Sequence, residues 1–272
     1  MNKICYNPSA MVLTSILHMY SGESIQLHRG YCVDLKTWSI DRNTVVASYI
    51  ARMLAAPFVM STLSLDSDNA GKQFLEIGLG GGTLDTALHA RKPKVNITAV
   101  DIDEIVVKKV AKWFGIRDSR YHHSITEDGV KFVDNAIAEG RKFDVVAIDA
   151  CDDNHWLPCP AEEFRTEEGL EKIKKVMNDN GTVTVNFLPR IQMNQTVWDE
   201  ALESYQSVFP TCMLLKARSA NVVLVCVPFE VPDTLEFQRL YKQRLTEVIS
   251  AFKLDETLNG FATLEILPNL TF

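Results

Sequence analysis

Residues 74–90 read FLEIGLGGGTLDTALHA. An apolar run meets a knot of glycines and then turns into a helical pattern. A strand should end there, the backbone should come close to something, and a helix should begin. A dinucleotide cradle needs glycines spaced G-x-G-x-x-G. Here Gly78, Gly80 and Gly82 give G-x-G-x-G, with Thr83 where the third glycine should fall and Glu76 two residues ahead of the loop. The pyrophosphate reading is a poor match. Glycines before a helix N-terminus still favour a small anionic group such as a carboxylate. A tight strand-to-helix turn with no ligand is the plain alternative.

Outward from this stretch, between Gly71 and Phe229, apolar runs alternate with helical ones. The strand-like runs are FLEIGL, VNITAVDI, FDVVAIDA, GTVTVNFL and NVVLVCVPF, with weaker ones at YHHSIT and CMLLKA. Helical spacing covers Thr83–His89, Glu104–Phe114, Val130–Ala138, Ala161–Met177 and Thr196–Val208. Such alternation predicts an α/β fold, a mostly parallel sheet covered on both faces. Ligands of such sheets bind beyond the carboxyl ends of the strands, where chain order reverses. The last two strands are joined by the short RSA link, too short for a crossover helix, which predicts an antiparallel hairpin at one edge.

In front of this core, Ser9–Ile40 gives short β-like runs parted by turn signals at Ser21-Gly22 and Arg29-Gly30. Val45, Val46, Tyr49, Ile50, Met53 and Leu54 then repeat at helical spacing behind a candidate cap, Asp41, and Pro57 should end or kink that helix. Behind the core, Leu235, Phe237, Leu240, Tyr241, Leu245, Val248 and Ile249 form one helical face, either packed on the sheet or open to a partner. The chain thus divides into a hairpin-and-helix region (1–70), a core (71–230) and a helix with a tail packed on the core (231–272).

With 272 residues, 46% of them hydrophobic, the chain can bury a sizeable core, and its formal charge of −7 lacks the basic surplus that nucleic-acid backbones call for. No apolar stretch reaches membrane-spanning length, since YIARMLAAPFVM is broken by Arg52 and Pro57. A secretory signal is not supported, because the early apolar residues are interrupted at Asn7 and Pro8. Six cysteines (Cys5, Cys32, Cys151, Cys159, Cys212, Cys226) with no CxxC read as reduced thiols, for which the cytosol is the default.

The acids follow the strands. Asp101 closes the strand after the glycine loop, where a carboxylate can accept both hydroxyls of a ribose; Asp103 points the same way if the strand continues. Asp128 and Gly129 follow the next strand, suiting an adenine amine or a simple turn. Asp149, Asp152 and Asp153 crowd the end of FDVVAIDA, and three acids so close repel unless a cation is near. A substrate amine would serve; a solvated acidic loop is the plain reading. Cys151-x3-His155-x3-Cys159 matches no common zinc spacing, and no metal is expected. His122 and His123 alternate across a strand and cannot share one face as a ligand pair.

The stretches IGLGGGTL, AVDIDEIVVKKVAKWFG, EDGVKF, FDVVAIDACDDN, CPAEEF and VFP resemble the spermidine-synthase-like class I S-adenosylmethionine-dependent methyltransferases. Within them, the likeness is to the methyltransferase-like protein 13 family, whose members methylate translation elongation factor 1A. It covers roughly Gly71 to Phe229. The resemblance implies a Rossmann-like class I methyltransferase fold with a mostly parallel seven-stranded sheet, and S-adenosyl-L-methionine as cofactor. It places Glu76, Gly78, Gly80 and Gly82 along the methionine end, Asp101 on the ribose and Ile102 against the adenine. Asp128, followed by Gly129, comes near the adenine amine, and Asp149 faces the transferred group. Asp149 or Asp152 would bind the acceptor's ammonium form or assist its deprotonation. The implied acceptor is a protein amine, of an elongation factor 1A-like protein in the cytoplasm, and the implied assembly a homodimer.

Nucleic acid is not expected as a partner, since the asparagine-proline-proline-aromatic motif is absent after the fourth strand. Membrane is not expected either. True aminopropyltransferases share the acid-x-x-acid pattern met here by Asp149 and Asp152, but carry an aspartate inside the glycine loop where this chain has Gly81. That missing acid argues against polyamine synthesis, which stays as the alternative. A catalytically inactive binding module is the third reading.

Overall fold

In a computed structural model, residues 3–5, 32–34, 41–114, 118–190, 194–216, 219–258 and 263–267 are described. Two three-residue strands, β1 (Lys3–Cys5) and β2 (Cys32–Asp34), pair antiparallel with Cys5 opposite Cys32. Most of the β-like runs expected over Ser9–Ile40, with their turn signals, lie outside the described residues.

Helix α1 (Ser48–Val59) starts later than the spacing of Val45 and Val46 predicts. Asp41 does not cap it. Its carboxylate instead closes a turn by accepting from the N–H groups of Asn43 and Thr44 and from the Thr44 hydroxyl. Pro57 lies inside the helix rather than ending it. Close to the C-terminal end, its missing N–H costs one bond in a turn where tertiary packing holds the helix. Every residue from Ile50 to Val59 is buried, because α1 is packed against the sheet on one side and helices on the others.

The core strands are β3 (Gln73–Ile77), β4 (Asn96–Asp101), β5 (His122–Thr126), β6 (Phe143–Ile148) and β7 (Met177–Phe187), followed by β8 (Thr211–Lys216), β9 (Val222–Val227) and β10 (Thr263–Ile266). Their order in the sheet is β10-β8-β9-β7-β6-β3-β4-β5. Neighbours from β7 to β5 run parallel, whereas β9 enters antiparallel between β7 and β8, and β10 pairs antiparallel outside β8. The chain runs outward from β3 to β5 and then returns to the other side of β3 as β6. Its order therefore reverses between β3 and β6, which opens the crevice there. The sheet has eight strands rather than the seven expected; the added β10 covers the hairpin β8–β9, so β10 forms that edge.

The helices are α2 (Thr83–Arg91), α3 (Glu104–Trp113), α4 (Gly129–Ala138), α5 (Glu167–Lys175), α6 (Gln195–Val208), α7 (Leu235–Phe252) and the one-turn α8 (Asp255–Leu258). Where the pattern predicts one helix over Ala161–Met177, a 3-10 turn at Glu162–Phe164 comes first. The Thr166 hydroxyl then accepts from Gly169 N–H and starts α5 afresh. Strand residues alternate between two apolar layers. Phe74, Val145 and Ala147 face α1, α2 and α7, while Leu75, Ile77, Val146 and Ile148 face α4, α5 and α6. Each such fully buried side chain larger than alanine contributes roughly 1.5–3 kcal/mol, and all six residues of β6 are buried, so the centre of the sheet is held from both sides.

The cysteines correct the reading from sequence. Cys212 and Cys226, partners across β8 and β9, form a disulfide, and so do Cys151 and Cys159. Separations of 14 and 8 residues carried no framework signal, because strand pairing and loop closure bring the partners together. The expectation of a reducing compartment rested on free thiols and loses that support. Among the described residues, no helix is long and apolar enough to cross a membrane.

Candidate active site

Beyond the carboxyl ends of β3, β4 and β6 lies a cavity of about 360 Å³. Of the residues singled out from sequence, Gly78, Gly80, Asp101, Ile102, Asp128, Gly129, Asp149 and Asp152 line it together. Glu76 and Gly82 stand behind the loop. Gly82 is the left-handed residue (φ 64°) at the start of α2, and Glu76 is buried beneath, accepting from the backbone N–H of Asp85. Ile77, Val100, Val130, Ala150, Cys151, Ala161, Glu163 and Phe164 complete the wall.

The glycines have separate reasons. A Cβ on Gly78 would lie 2.6 Å from the backbone of Asp149 and Ala150, so the loop packs directly on the end of β6; its φ of +92° is also left-handed. On Gly129, a Cβ would meet Ile77 Cγ2 at 2.6 Å, which fixes how closely α4 approaches β3. Gly81 is different: a Cβ there meets only Thr83 Oγ1, at 3.9 Å.

Each acid is held by a different set of donors. Asp101 Oδ2 accepts from the N–H groups of Leu79 and Gly80 (2.9 and 3.3 Å), and its Oδ1 accepts from Asp103 N–H, tying the strand end to the glycine loop. Asp103 does not continue the strand; its side chain accepts from Ile105 N–H at the entry to α3. Ile102, 72% exposed, offers an open apolar surface at the cavity. Asp128 caps α4 by accepting from Lys131 N–H.

Asp152 is occupied by structure. Its Oδ2 accepts from Glu162 N–H (2.8 Å) and Arg165 Nη2 (3.0 Å), and its Oδ1 from Asn154 N–H (2.8 Å). The loop it sits in closes on itself: Asp152 N–H donates to Pro158 O, Ala161 N–H to Ala150 O, and the Cys151–Cys159 bond joins the two sides. That bond also consumes both thiols of the Cys151-x3-His155-x3-Cys159 spacing.

Asp149 is the group left facing the cavity with chemistry to offer. It accepts from Asn186 Nδ2 at 2.7 Å and from the Tyr49 hydroxyl at 3.3 Å. Burial pushes its pKa up to about 7, against the lowering pull of those two donors. Tyr49 is itself raised, first by burial and then by the Asp149 carboxylate, so it stays a donor. Below, burial and the carboxylates of Asp85, Asp149 and Asp101 raise Glu76 well above its ordinary range, and its Oε2 has no partner. Asp85 is fully buried and pairs with His122 Nε2 at 2.8 Å, and His122 stacks on His89. His122 is thus a core histidine and His123 lies exposed. Tyr49 and Asn186 carried no site signal in the sequence, since α1 and the end of β7 reach Asp149 only through the fold.

The fold and the acids at its crevice define a Rossmann-like chain of the class I methyltransferase type. The spermine/spermidine synthase domain matches residues 59–227, and the chain belongs to that family. It is 32% identical over 179 residues to the eEF1A lysine and N-terminal methyltransferase homolog of Drosophila pseudoobscura pseudoobscura, covering 65% of this chain and 26% of that protein. This chain therefore spans about a quarter of that relative's length. The polyamine aminopropyltransferase of Vibrio vulnificus is 25% identical over 213 residues, covering 77% of this chain and 68% of the enzyme. Among solved structures, human methyltransferase-like protein 13 in complex with SAH superposes with a TM-score of 0.58 at 25% identity, covering 75% of this chain and 89% of that one.

Proposed function

We propose that this chain is an S-adenosylmethionine-dependent methyltransferase acting on a protein amine, a lysine or an N-terminus. The observation that carries the reading is Asp149: a carboxylate at the cavity wall, raised to about 7 and held by two donors, suited to take a proton near neutral pH. The cavity fits the cofactor in kind. Gly78 and Gly129 let the loop and α4 pack closely on the strand ends that form its wall, Asp101 and Asp128 line it with the carboxylates for which the resemblance implies a ribose and an adenine amine, and Ile102 offers an apolar face. S-adenosylmethionine supplies a methyl group on a sulfonium. The chain's own part is to orient the acceptor, exclude water and remove a proton: a protonated amine has no lone pair with which to attack, and Asp149 receives that proton. Asp152, with both oxygens engaged, holds the loop in place for this task.

The names of the relatives support a protein acceptor resembling elongation factor 1A, and a cytoplasmic location is proposed on the family resemblance. Pairing of two copies is proposed on the family resemblance. The alternative is aminopropyl transfer, supported by the Vibrio relative. Against it stands Gly81: neither backbone nor space forbids a side chain there, so the missing acid is a chemical difference and not a steric one. The engagement of Asp152 leaves one acid fewer for a diamine.

The test is titration calorimetry with S-adenosylmethionine and its demethylated product, then radiolabelled methyl transfer into cell extract and purified elongation factor 1A. Binding of both and labelling of a protein are expected. Spermidine formation from decarboxylated S-adenosylmethionine and putrescine at a catalytic rate would establish the alternative. Absence of heat with either ligand in folded protein would leave an inactive scaffold.

A further inference from the structure

The hairpin β8–β9 has a role in the site that the assignments above leave unused. Asn221, just before β9, donates from Nδ2 to Asn186 Oδ1 at 2.9 Å, and Asn186 donates from Nδ2 to Asp149 Oδ1 at 2.7 Å. The direction follows from chemistry. An ionised carboxylate only accepts, so Asn186 must turn its NH2 toward Asp149 and its carbonyl away, and the group meeting that carbonyl must be a donor.

The far end is anchored as firmly. The main-chain carbonyl of Asn221 accepts from Arg52 Nη2 at 2.9 Å, and Arg52 also donates from Nη1 to Leu215 O and from Nε to Ser48 O. The guanidinium is fully buried. Tyr49 stands one turn before Arg52 on α1 and donates to the other oxygen of Asp149. The contacts close a ring: α1, Arg52, Asn221, Asn186, Asp149, Tyr49 and back to α1.

We infer that Asn221 is a positioning residue, which acts through Asn186 as a one-way amide relay and holds Asp149 as a hydrogen-bond acceptor aimed at the substrate amine. This rests on Asp149 being the proton-accepting group. With Asn221's donor gone, Asn186 is free to rotate its amide and present its carbonyl to Asp149, which favours the protonated acid. The charged or titratable groups around Asp149 are Tyr49 from α1, Glu76 from β3, Asp101, Asp128 and Asp152 around the cavity, and Arg52 behind the two asparagines. None of these is altered by changing Asn221.

The experiment is carbon-13 NMR titration of the full chain labelled at aspartate Cγ, with the Asp149 signal identified by its loss in Asp149→Asn. Asn221→Ala, Asn221→Leu (which keeps the branching at Cγ without the polar atoms) and Asn186→Leu are compared, with folding checked by circular dichroism. The expected result is a midpoint near 7 in the unaltered protein. It should rise by about half a unit or more in all three variants, with the pH of half-maximal methyl transfer following and the KM for S-adenosylmethionine unchanged. A midpoint that moves in Asn186→Leu but in neither Asn221 variant overturns the relay, as does one that moves in none. Asp149→Asn that retains full methyl transfer sinks the base assignment instead, and leaves the NMR comparison to decide the relay by itself.

Discussion

A methyl group on Gly78 would collide with backbone, whereas one on Gly81 would meet only a hydroxyl at van der Waals distance. Gly78→Ala is therefore expected to lose about 2–4 kcal/mol in urea unfolding, and Gly81→Ala to stay within about 0.5 kcal/mol. The difference also shows what was legible. The spacing of the glycines announced a close approach, but not that Gly78 approaches the neighbouring strand end rather than a ligand. Asp149→Asn should reduce methyl transfer at least about 100-fold, while calorimetry shows the affinity for S-adenosylmethionine within a few-fold of the unaltered protein. In the unaltered protein the rate should climb with pH through about 7, since the carboxylate is the active form and burial delays its appearance to that range. Asp149 stood out in the sequence as a strand-end acid. Its donors did not, because Tyr49 lies 100 residues and Asn186 37 residues away along the chain.

At the scale of elements, the loop from Ala150 to Ala161 explains why two acids of one motif part company. Asp152 binds three donors, Asn154 inside the loop and Glu162 and the nearly buried Arg165 just beyond it. Arg165→Met should cost about 1–3 kcal/mol of stability and quicken proteolytic nicking of the loop. Asp152→Asn should likewise lower the melting temperature more than it lowers kcat, the reverse of Asp149→Asn; a kcat loss equal to that of Asp149→Asn would return Asp152 to the chemistry. Helix existence was readable from periodicity, helix ends less so. Ala161–Met177 looks continuous because its apolar residues keep helical spacing, yet the Thr166 cap restarts the helix. Pro57 looks like a stop, yet packing carries α1 past it. Strand β10, four residues long, gave no signal of its own; its pairing with β8 is a property of the sheet.

At the scale of the whole molecule, burial raises two carboxyl groups among the described residues, Glu76 and Asp149. The sign follows from linkage. The folded state keeps protons that the unfolded chain releases at ordinary carboxylate pH, so this contribution is complete in acid and is lost as pH rises through the folded pKa. Glu76→Gln is expected to match the unaltered protein near pH 4 and to exceed it by roughly 1–3 kcal/mol at pH 8, read from urea unfolding at both values. A constant difference across pH would mean that Glu76 is not titrating with folding. The strand-and-helix alternation made the layered sheet readable, since parallel strands must be apolar on both faces. The cysteine pairs were not readable, because nothing in their spacing records which strands and loop ends become neighbours. Cys151 lines the cavity and its partner closes the acidic loop, so the oxidation state of the preparation becomes a variable of any assay. Dithiothreitol in the buffer would remove a cross-link of about 2–3 kcal/mol from the rim of the site. Activities recorded with and without it would then belong to two differently constrained forms of the chain.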